Sequence, residues 1–182
     1  MMDKPVFGEK EAGVQYSPRY AAYIIVEEKN KLALIEAPNG AYFLPGGEIE
    51  AMETKEAALK RELLEEMGIV AEIATYLGEA DEYFYSNYRQ TYYYNPGYFY
   101  VANGWQQMAE PTEKTNTIWW VTPQEAIEKL KRLLGEMVIT GITTNQNFHL
   151  AILNDPEFLR GTMTTNYLEQ DFMPRWKGET QQ

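Results

Sequence analysis

The 182-residue chain has no cysteine and one histidine, His149. Without cysteine there is no disulfide framework, thiolate zinc site or cysteine nucleophile. His149 lies far along the chain from the acidic motif described below, and is read as a structural or surface residue rather than a base. Positive charge is scarce: 16 Lys and Arg stand against 27 Asp and Glu, for a formal charge of −11. A broad nucleic-acid surface needs a basic footprint, so a nucleic-acid partner is not expected. An anionic ligand must then rely on local cations. No apolar run approaches the roughly 18–20 residues of a membrane span, and no signal-peptide core opens the chain. The expectation is a cytoplasmic protein with no membrane partner.

Hydrophobic residues, at 45%, suffice for a packed core. The length suits one core domain plus an appendage. The informative stretch runs from Gly47 to Ile69, GEIEAMETKEAALKRELLEEMGI. Residues 55–67 are all good helix formers, with Thr54 as a plausible N-cap and Gly68 where a left-handed C-terminal residue belongs. Ala58, Leu59, Leu63 and Met67 recur at helical spacing and predict a buried face. Glu62, Glu65 and Glu66 fall at i, i+3 and i+4, so three carboxylates share one side of the helix. Such anions repel, by about 1 kcal/mol per pair at 4 Å in water and more at lower dielectric. Crowded hard oxygen ligands imply a divalent cation, Mg²⁺ or Mn²⁺, with a phosphate as its partner. Arg61 sits four residues before Glu65 and can orient it. Pro45-Gly46-Gly47 reads as a loop that turns sharply and approaches a ligand closely.

The spacing is Gly47, five residues, Glu53, seven residues, Arg61-Glu62-Leu63, one residue, Glu65-Glu66, one residue, Gly68-Ile69. This resembles the signature box of the Nudix hydrolases, with every defining position filled. Phe43-Leu44-Pro45-Gly46-Gly47 before it and Trp120-Val121-Thr122-Pro123 after it agree, and the resemblance covers residues 20–130. It implies an α/β (α+β) fold: a Nudix-type α/β/α sandwich with a mixed sheet and a loop–helix–loop box. It also implies Mg²⁺-dependent (or Mn²⁺-dependent) cleavage of the pyrophosphate of a nucleoside diphosphate linked to another group, a small-molecule nucleotide substrate. On that resemblance Glu62, Glu65 and Glu66 hold one to three metal ions, and a carbonyl of Gly46 or Gly47 completes a site. Arg61 steadies a glutamate of the box, and Glu53 supports the loop. Family members often carry a base outside the box, on a loop before the last strand. Here that loop spans residues 106–117, with Glu113 favoured over Glu110. The alternatives are a nucleotide-binding sensor that does not turn over, and an assembly role for the tail.

Substrate contacts are less determined. Residues 83–100 are dense in tyrosine, which suits either a stacking platform, with Tyr83 among its members, or ordinary strand pairing. Arg19 and Arg89 are the candidate phosphate clamps, because a guanidinium grips oxygens in a bidentate way. The arm around Phe7 and Tyr16 either covers the pocket or pairs with a second chain.

The periodicity predicts strands over 20–27, 31–36, 41–44, 69–79, 81–85, 98–103 and 118–121, with residues 1–18 a loose arm or short strand. A helix over 124–134 opens with Pro123 at its first position. The domain is expected to span 1–135, with a partly helical extension over 136–182. That extension resembles the closing segment of the biotin carboxylases over 125–170, through Val138-Ile139-Thr140-Gly141-Ile142, Phe148-His149-Leu150, Asn154-Asp155-Pro156, Phe158 and Gly161. The ATP-binding portion of a carboxylase is absent, so carboxylase activity is not implied. Helices are expected near 145–153 and 156–160, the latter capped by Asp155. Phe148, Leu150, Ile152, Leu153, Phe158 and Leu159 need cover from the domain or from a second copy, so a homodimer is one expectation. The last ten or so residues are expected to be mobile.

Overall fold

The computed structural model describes residues 4–86, 89–136, 146–163 and 166–179. The chain divides into two compact units, Met1–Val121 and Thr122–Gln182. This division precedes the helix at Pro123–Glu136, which the sequence alone assigns to the first domain.

The first unit contains, in chain order, β1 (Val6–Phe7), β2 (Ser17–Pro18), β3 (Ala21–Ile25), β4 (Glu27–Glu28), β5 (Lys31–Glu36), β6 (Tyr42–Phe43), β7 (Gly46–Glu48), α1 (Lys55–Met67), β8 (Ile69–Ser86), β9 (Thr91–Gln107) and β10 (Thr117–Val121). One mixed sheet has the order β1-β8-β9-β3-β7, with β2 also paired to β9. Strand β3 runs parallel to β9 and antiparallel to β7. A second, antiparallel sheet has the order β10-β5-β4, with β6 on β5. The β4–β5 turn places Lys29 and Asn30 both at positive φ, the conformation whose twist suits a two-residue hairpin.

Helix α1 occupies the expected residues. Thr54 accepts the Ala57 N–H at 3.1 Å, and Gly68 closes the helix at φ 67°. Ala58, Leu59, Leu63 and Met67 are buried. Leu59, Leu63 and Met67 pack with Ala22, Ile24 and Val26 of the β3 region, Ala33 and Ile35 of β5, Ile69 and Ala71 of β8, and Tyr100 of β9. Burial of a leucine such as Leu59 or Leu63 stabilises the fold by about 1.5–3 kcal/mol.

In the first unit, three expectations about its strands and arm change. The two strands predicted over 69–79 and 81–85 are one 18-residue strand, β8, and the one predicted over 98–103 is the 17-residue β9. Register shifts between Ala71 and Ile73, Ile73 and Thr75, and Tyr76 and Gly78 break the alternation that period-2 reading relies on. Second, Gly46 and Gly47 belong to a strand, β7, not a loop. Third, the N-terminal arm pairs within its own chain: β1 lies parallel to β8, and Tyr16 packs edge-on against Tyr83 and Tyr92.

In the second unit, α2 (Pro123–Glu136) starts with a reciprocal cap. The Glu125 N–H donates to Thr122 Oγ1, and the Thr122 N–H donates to Glu125 Oε2 at 2.7 Å. Helices α3 (Gln146–Asn154) and α4 (Pro156–Arg160) follow, with Asp155 capping α4 by accepting the Glu157 N–H at 2.8 Å. A π-helical turn over Leu168–Phe172 leads into α5 (Met173–Glu179). The segment expected to be mobile is therefore helical as far as Glu179. Its aromatic residues explain why: Phe148 meets Phe172 and Trp176 edge-to-face, and Leu153, Tyr167 and Phe172 are buried. Leu159, expected to be buried, is exposed. The Val138–Ile142 motif lies outside the described residues. Among the described residues, no helix is long and apolar enough to cross a membrane.

Candidate active site

Helix α1 presents its acids at three depths. Glu66 is buried at 8% exposure, and its Oε2 accepts the Gly46 N–H at 2.9 Å. Glu62 lies beneath Gly47, where a Cβ would stand 2.5 Å from its Oε1, so the strand must be glycine for the acid to occupy that place. Gly46 has φ 128°, and a Cβ there would stand 2.2 Å from the Ala22 carbonyl oxygen. Glu65 is on the rim. The pair of glycines and the acids Glu62 and Glu66, singled out separately in the sequence, are thus brought together where β7, paired with β3, lies over the C-terminal half of the helix.

Arg61 is the hub. Its Nε and Nη2 donate to the two oxygens of Glu53 at 2.9 and 3.0 Å, a bidentate fork. Nη1 donates to Glu62 at 2.9 Å and Glu65 at 3.1 Å, and Nη2 also reaches the Glu48 carbonyl at 2.9 Å. These carboxylates hold the guanidinium firmly protonated. In return, Arg61 and the Glu50 N–H hold the Glu53 carboxyl below its usual range. Glu53 also fixes the turn before the helix by accepting that N–H at 3.0 Å.

The inner acids behave oppositely. Burial raises the Glu62 carboxyl despite Arg61, with Glu65 and Glu113 adding to the rise. Burial pushes Glu66 up to about 8, opposed by the Gly46 N–H and reinforced by Glu62, Glu113 and Glu65. Glu113 thus joins the acids from outside the box. Its loop docks on the end of α1: the N–H groups of Thr112 and Glu113 donate to the Glu65 carbonyl, and those of Met108 and Ala109 to the Gly68 carbonyl. The helix's unpaired C-terminal carbonyls hold this loop in place. A cavity of about 420 Å³ is lined by Glu66, Glu110, Glu113, Lys114 and Asn116. A larger one, about 810 Å³ between α1 and the β8–β9 ribbon, is lined by none of Glu53, Glu62, Glu65 and Glu66.

The donor set suits a hard divalent cation in kind, since it consists of carboxylates, two of which, Glu62 and Glu66, are raised by burial and by their acidic neighbours. Its arrangement is not a closed cage. Among the described residues, no three acidic side chains yet surround a common point closely enough to hold a metal. The reason is visible: Glu62 and Glu65 are turned onto Arg61.

The substrate candidates fall on the sheet. Arg19 Nε lies 3.2 Å from Glu48 Oε2, and its Nη1 donates to Asn95 Oδ1 at 3.2 Å. Arg89 Nη1 lies 3.9 Å from the same Glu48 oxygen. Tyr83 stacks on Tyr94 and is met edge-on by Tyr16, with the Lys10 ammonium 6.0 Å from the ring centre. Its contacts are with these neighbours, not with the α1 acids. His149 packs against Phe148 in the second unit. Three residues escaped the sequence reading. Asn116 donates to Glu113 Oε2 at 2.8 Å, Asn95 holds Arg19, and Glu48 gathers both arginines. Asn116, three residues after Glu113 in a turn-rich loop, left a faint signal; the other two become neighbours only through strand pairing.

Two segments of the chain match known families. The profile of the NUDIX domain matches residues 17–138. The chain belongs to the Nudix family. The profile of the biotin carboxylase C-terminal domain matches residues 115–170, in accord with the resemblance noted for the tail. The chain is 40% identical over 65 residues to an ADP-ribose pyrophosphatase of Methanocaldococcus jannaschii, covering 34% of this chain and 38% of that protein. It is 36% identical over 53 residues to a biotin carboxylase of a Nostoc species, covering 29% of this chain and 12% of that protein. These matches span well under half of either relative. A crystal structure of a MutT Nudix hydrolase from Burkholderia pseudomallei aligns at 23% identity and a TM-score of 0.48, over 74% of this chain and 96% of that one.

Proposed function

We propose that this Nudix chain is a Mg²⁺- or Mn²⁺-dependent hydrolase that cleaves the pyrophosphate bond of a nucleoside diphosphate linked to another moiety. The carrying observation is Glu66: a buried carboxyl pushed up to about 8, facing three further acids with only a backbone N–H to offset its charge. Glu62, Glu65 and Glu66, with a carbonyl of Gly46 or Gly47, would hold the ion. When bound, it would neutralise phosphate oxygens and acidify the attacking water. Arg61 orients Glu62 and Glu65, and Glu53 keeps Arg61 in place. Glu113, held by Asn116 through one oxygen, takes the water's proton on the other. Arg19 and Arg89 clamp substrate phosphate, which matters in a chain whose overall charge repels anions. The partner is a small nucleotide, and a cytoplasmic setting belongs to the same reading.

The test is a panel of nucleoside triphosphates, ADP-ribose, dinucleoside polyphosphates and capped RNA with Mg²⁺, assayed for phosphate-containing products. Wild-type protein should cleave at least one. Glu66→Gln should stay folded and lose several orders of magnitude in kcat. Failure to cleave any member, or undiminished activity in the variant, overturns the assignment.

A second reading concerns the tail alone, and the carboxylase-domain match supports it. The Thr122–Gln182 unit would serve assembly. A chain ended before Gly135 should then differ in solution mass from the full chain; equal mass and activity would remove that role.

A further inference from the structure

Two guanidinium groups converge on one carboxylate oxygen beside the box. Arg19, with its side chain 23% exposed, directs Nε to Glu48 Oε2 at 3.2 Å and Nη1 to Asn95 at 3.2 Å. Asn95 is buried and donates to Glu82 Oε2, so Arg19 is held from behind by a built network. Arg89 approaches the same Glu48 oxygen at 3.9 Å. Glu48 is 45% exposed, and its backbone carbonyl accepts from Arg61, which ties this position to the hub of the acid cluster.

A carboxylate shared by two guanidiniums has the geometry in which guanidiniums receive phosphate oxygens. We propose that Glu48 is an internal stand-in for substrate phosphate: it closes an anion subsite formed by Arg19 and Arg89, and an incoming diphosphate displaces it. This rests on the hydrolase reading above and deepens it by naming the residue that sets how tightly the subsite takes a phosphate. Exposed ion pairs are weak enough to be exchanged, whereas Asn95 keeps Arg19 in position when Glu48 leaves. The resting contact also shields two cations from the many other acids of the chain.

The test is calorimetric titration with inorganic pyrophosphate at low salt, with a chelator present so that no divalent ion occupies the box. Glu48→Gln should bind pyrophosphate about three- to fivefold more tightly than wild type, the factor expected from removing one exposed competing ion pair. Glu72→Gln, which removes the same charge from exposed strand β8, serves as the control for net charge and should change affinity far less. Adding Arg19→Gln to Glu48→Gln should abolish the gain. Unchanged or weaker binding by Glu48→Gln, an equal gain in the Glu72 control, a gain that survives loss of Arg19, or no binding by any of these proteins would each overturn the proposal. The readout does not depend on turnover. A chain that shows this pattern yet never hydrolyses a nucleotide would refute the hydrolase reading and leave the subsite standing.

Discussion

The buried carboxyl of Glu66 makes replacement by glutamine a sharp physical test. Glutamine keeps the shape and retains a side-chain oxygen to accept the Gly46 N–H, but carries no charge. The folded carboxyl is pushed up to about 8 from an ordinary value of 4.5. Below pH 4.5 the acid is neutral in both folded and unfolded chains, and contributes no pH dependence. Between 4.5 and 8 the folded state binds the proton more tightly than the unfolded state, so stability falls as pH rises. Above 8 the loss is complete. A shift of that size sets a ceiling of about 5 kcal/mol. Water entry and relaxation around the acid reduce it, and we expect about 1–3 kcal/mol.

Metal-free Glu66→Gln should therefore be more stable than wild type at pH 9, by roughly 3–10 °C in Tm for a chain of this size. The two should converge near pH 4.5. Adding Mg²⁺ at pH 8 should raise the Tm of wild type, because an ion that binds only the folded state stabilises it by mass action, and should raise the variant much less. The assay is thermal unfolding from pH 4.5 to 9 with chelator or with excess Mg²⁺. A variant that is less stable than wild type at pH 9 without metal would refute the account of Glu66 as a buried, destabilising charge. Equal stabilisation of both proteins by Mg²⁺ would refute its role as a ligand.

The two glycines should separate fold from site. Gly46→Ala places a Cβ against the Ala22 carbonyl at φ 128° and should cost about 2–4 kcal/mol in urea unfolding; Gly47→Ala meets only the movable end of Glu62, so it should leave stability within about 1 kcal/mol while weakening Mg²⁺ binding in calorimetry. Arg61→Lys keeps a charge but loses the fork to Glu53 and the reach to the Glu48 carbonyl, and should destabilise by about 1–3 kcal/mol in the same unfolding assay; an unchanged midpoint would show that the fork is dispensable. For the base, Glu113→Gln should lower kcat by about 10²–10⁴-fold, with Glu110→Gln within a few fold of wild type, in steady-state hydrolysis of whichever nucleotide the panel identifies. The reverse order would move the role to Glu110.

The legible parts of this protein were those fixed by local chemistry. Thr54, the run of helix formers and Gly68 bound α1, and the spacing of Ala58, Leu59, Leu63 and Met67 gave its buried face. Thr122-Pro123 and Asp155-Pro156 marked the starts of α2 and α4 in the same way. What escaped depended on partners distant in sequence. The bulges in β8 arise where it fits β9, and no period along a single strand records them. Gly46-Gly47 looks like a turn until β3 is beside it. Glu48 was an anonymous acid within the box until strand pairing set it beside Arg19, and the β8–β9 turn brought Arg89 to it. The last helix was missed because KGETQQ is polar, whereas the residues that anchor it, Phe172 and Trp176, come earlier and find Phe148 only in the folded unit.

On the proposed function, the charge balance of the site would give Arg61 and a metal ion different tasks. Glu53, Glu62 and Glu65 draw on one guanidinium, while Glu66 and Glu113 add two more carboxylates to the group. Five carboxylates against one guanidinium leave four negative charges if all are ionised (5 − 1 = 4), and on the cavity wall Lys114 and Glu110 cancel each other. Protonation of Glu66 is the resting chain's remedy, and burial drives it. Arg61 cannot provide the same relief, because its planar fork is already committed to Glu53 and the Glu48 carbonyl and cannot follow Glu66 inward. A dication has no such directionality. Glu62 and Glu65 would hold such an ion, while Glu53 keeps the arginine where it is, so the fork would support the site rather than compete for it. One dication would still leave the site negative toward a diphosphate, and a second would bring it close to balance. On the proposed function, the crowding of acids on α1 therefore sets a threshold for the box alone: a phosphate can lie against Glu62, Glu65 and Glu66 only after cations have entered, whereas the Arg19–Arg89 subsite can hold one weakly without them.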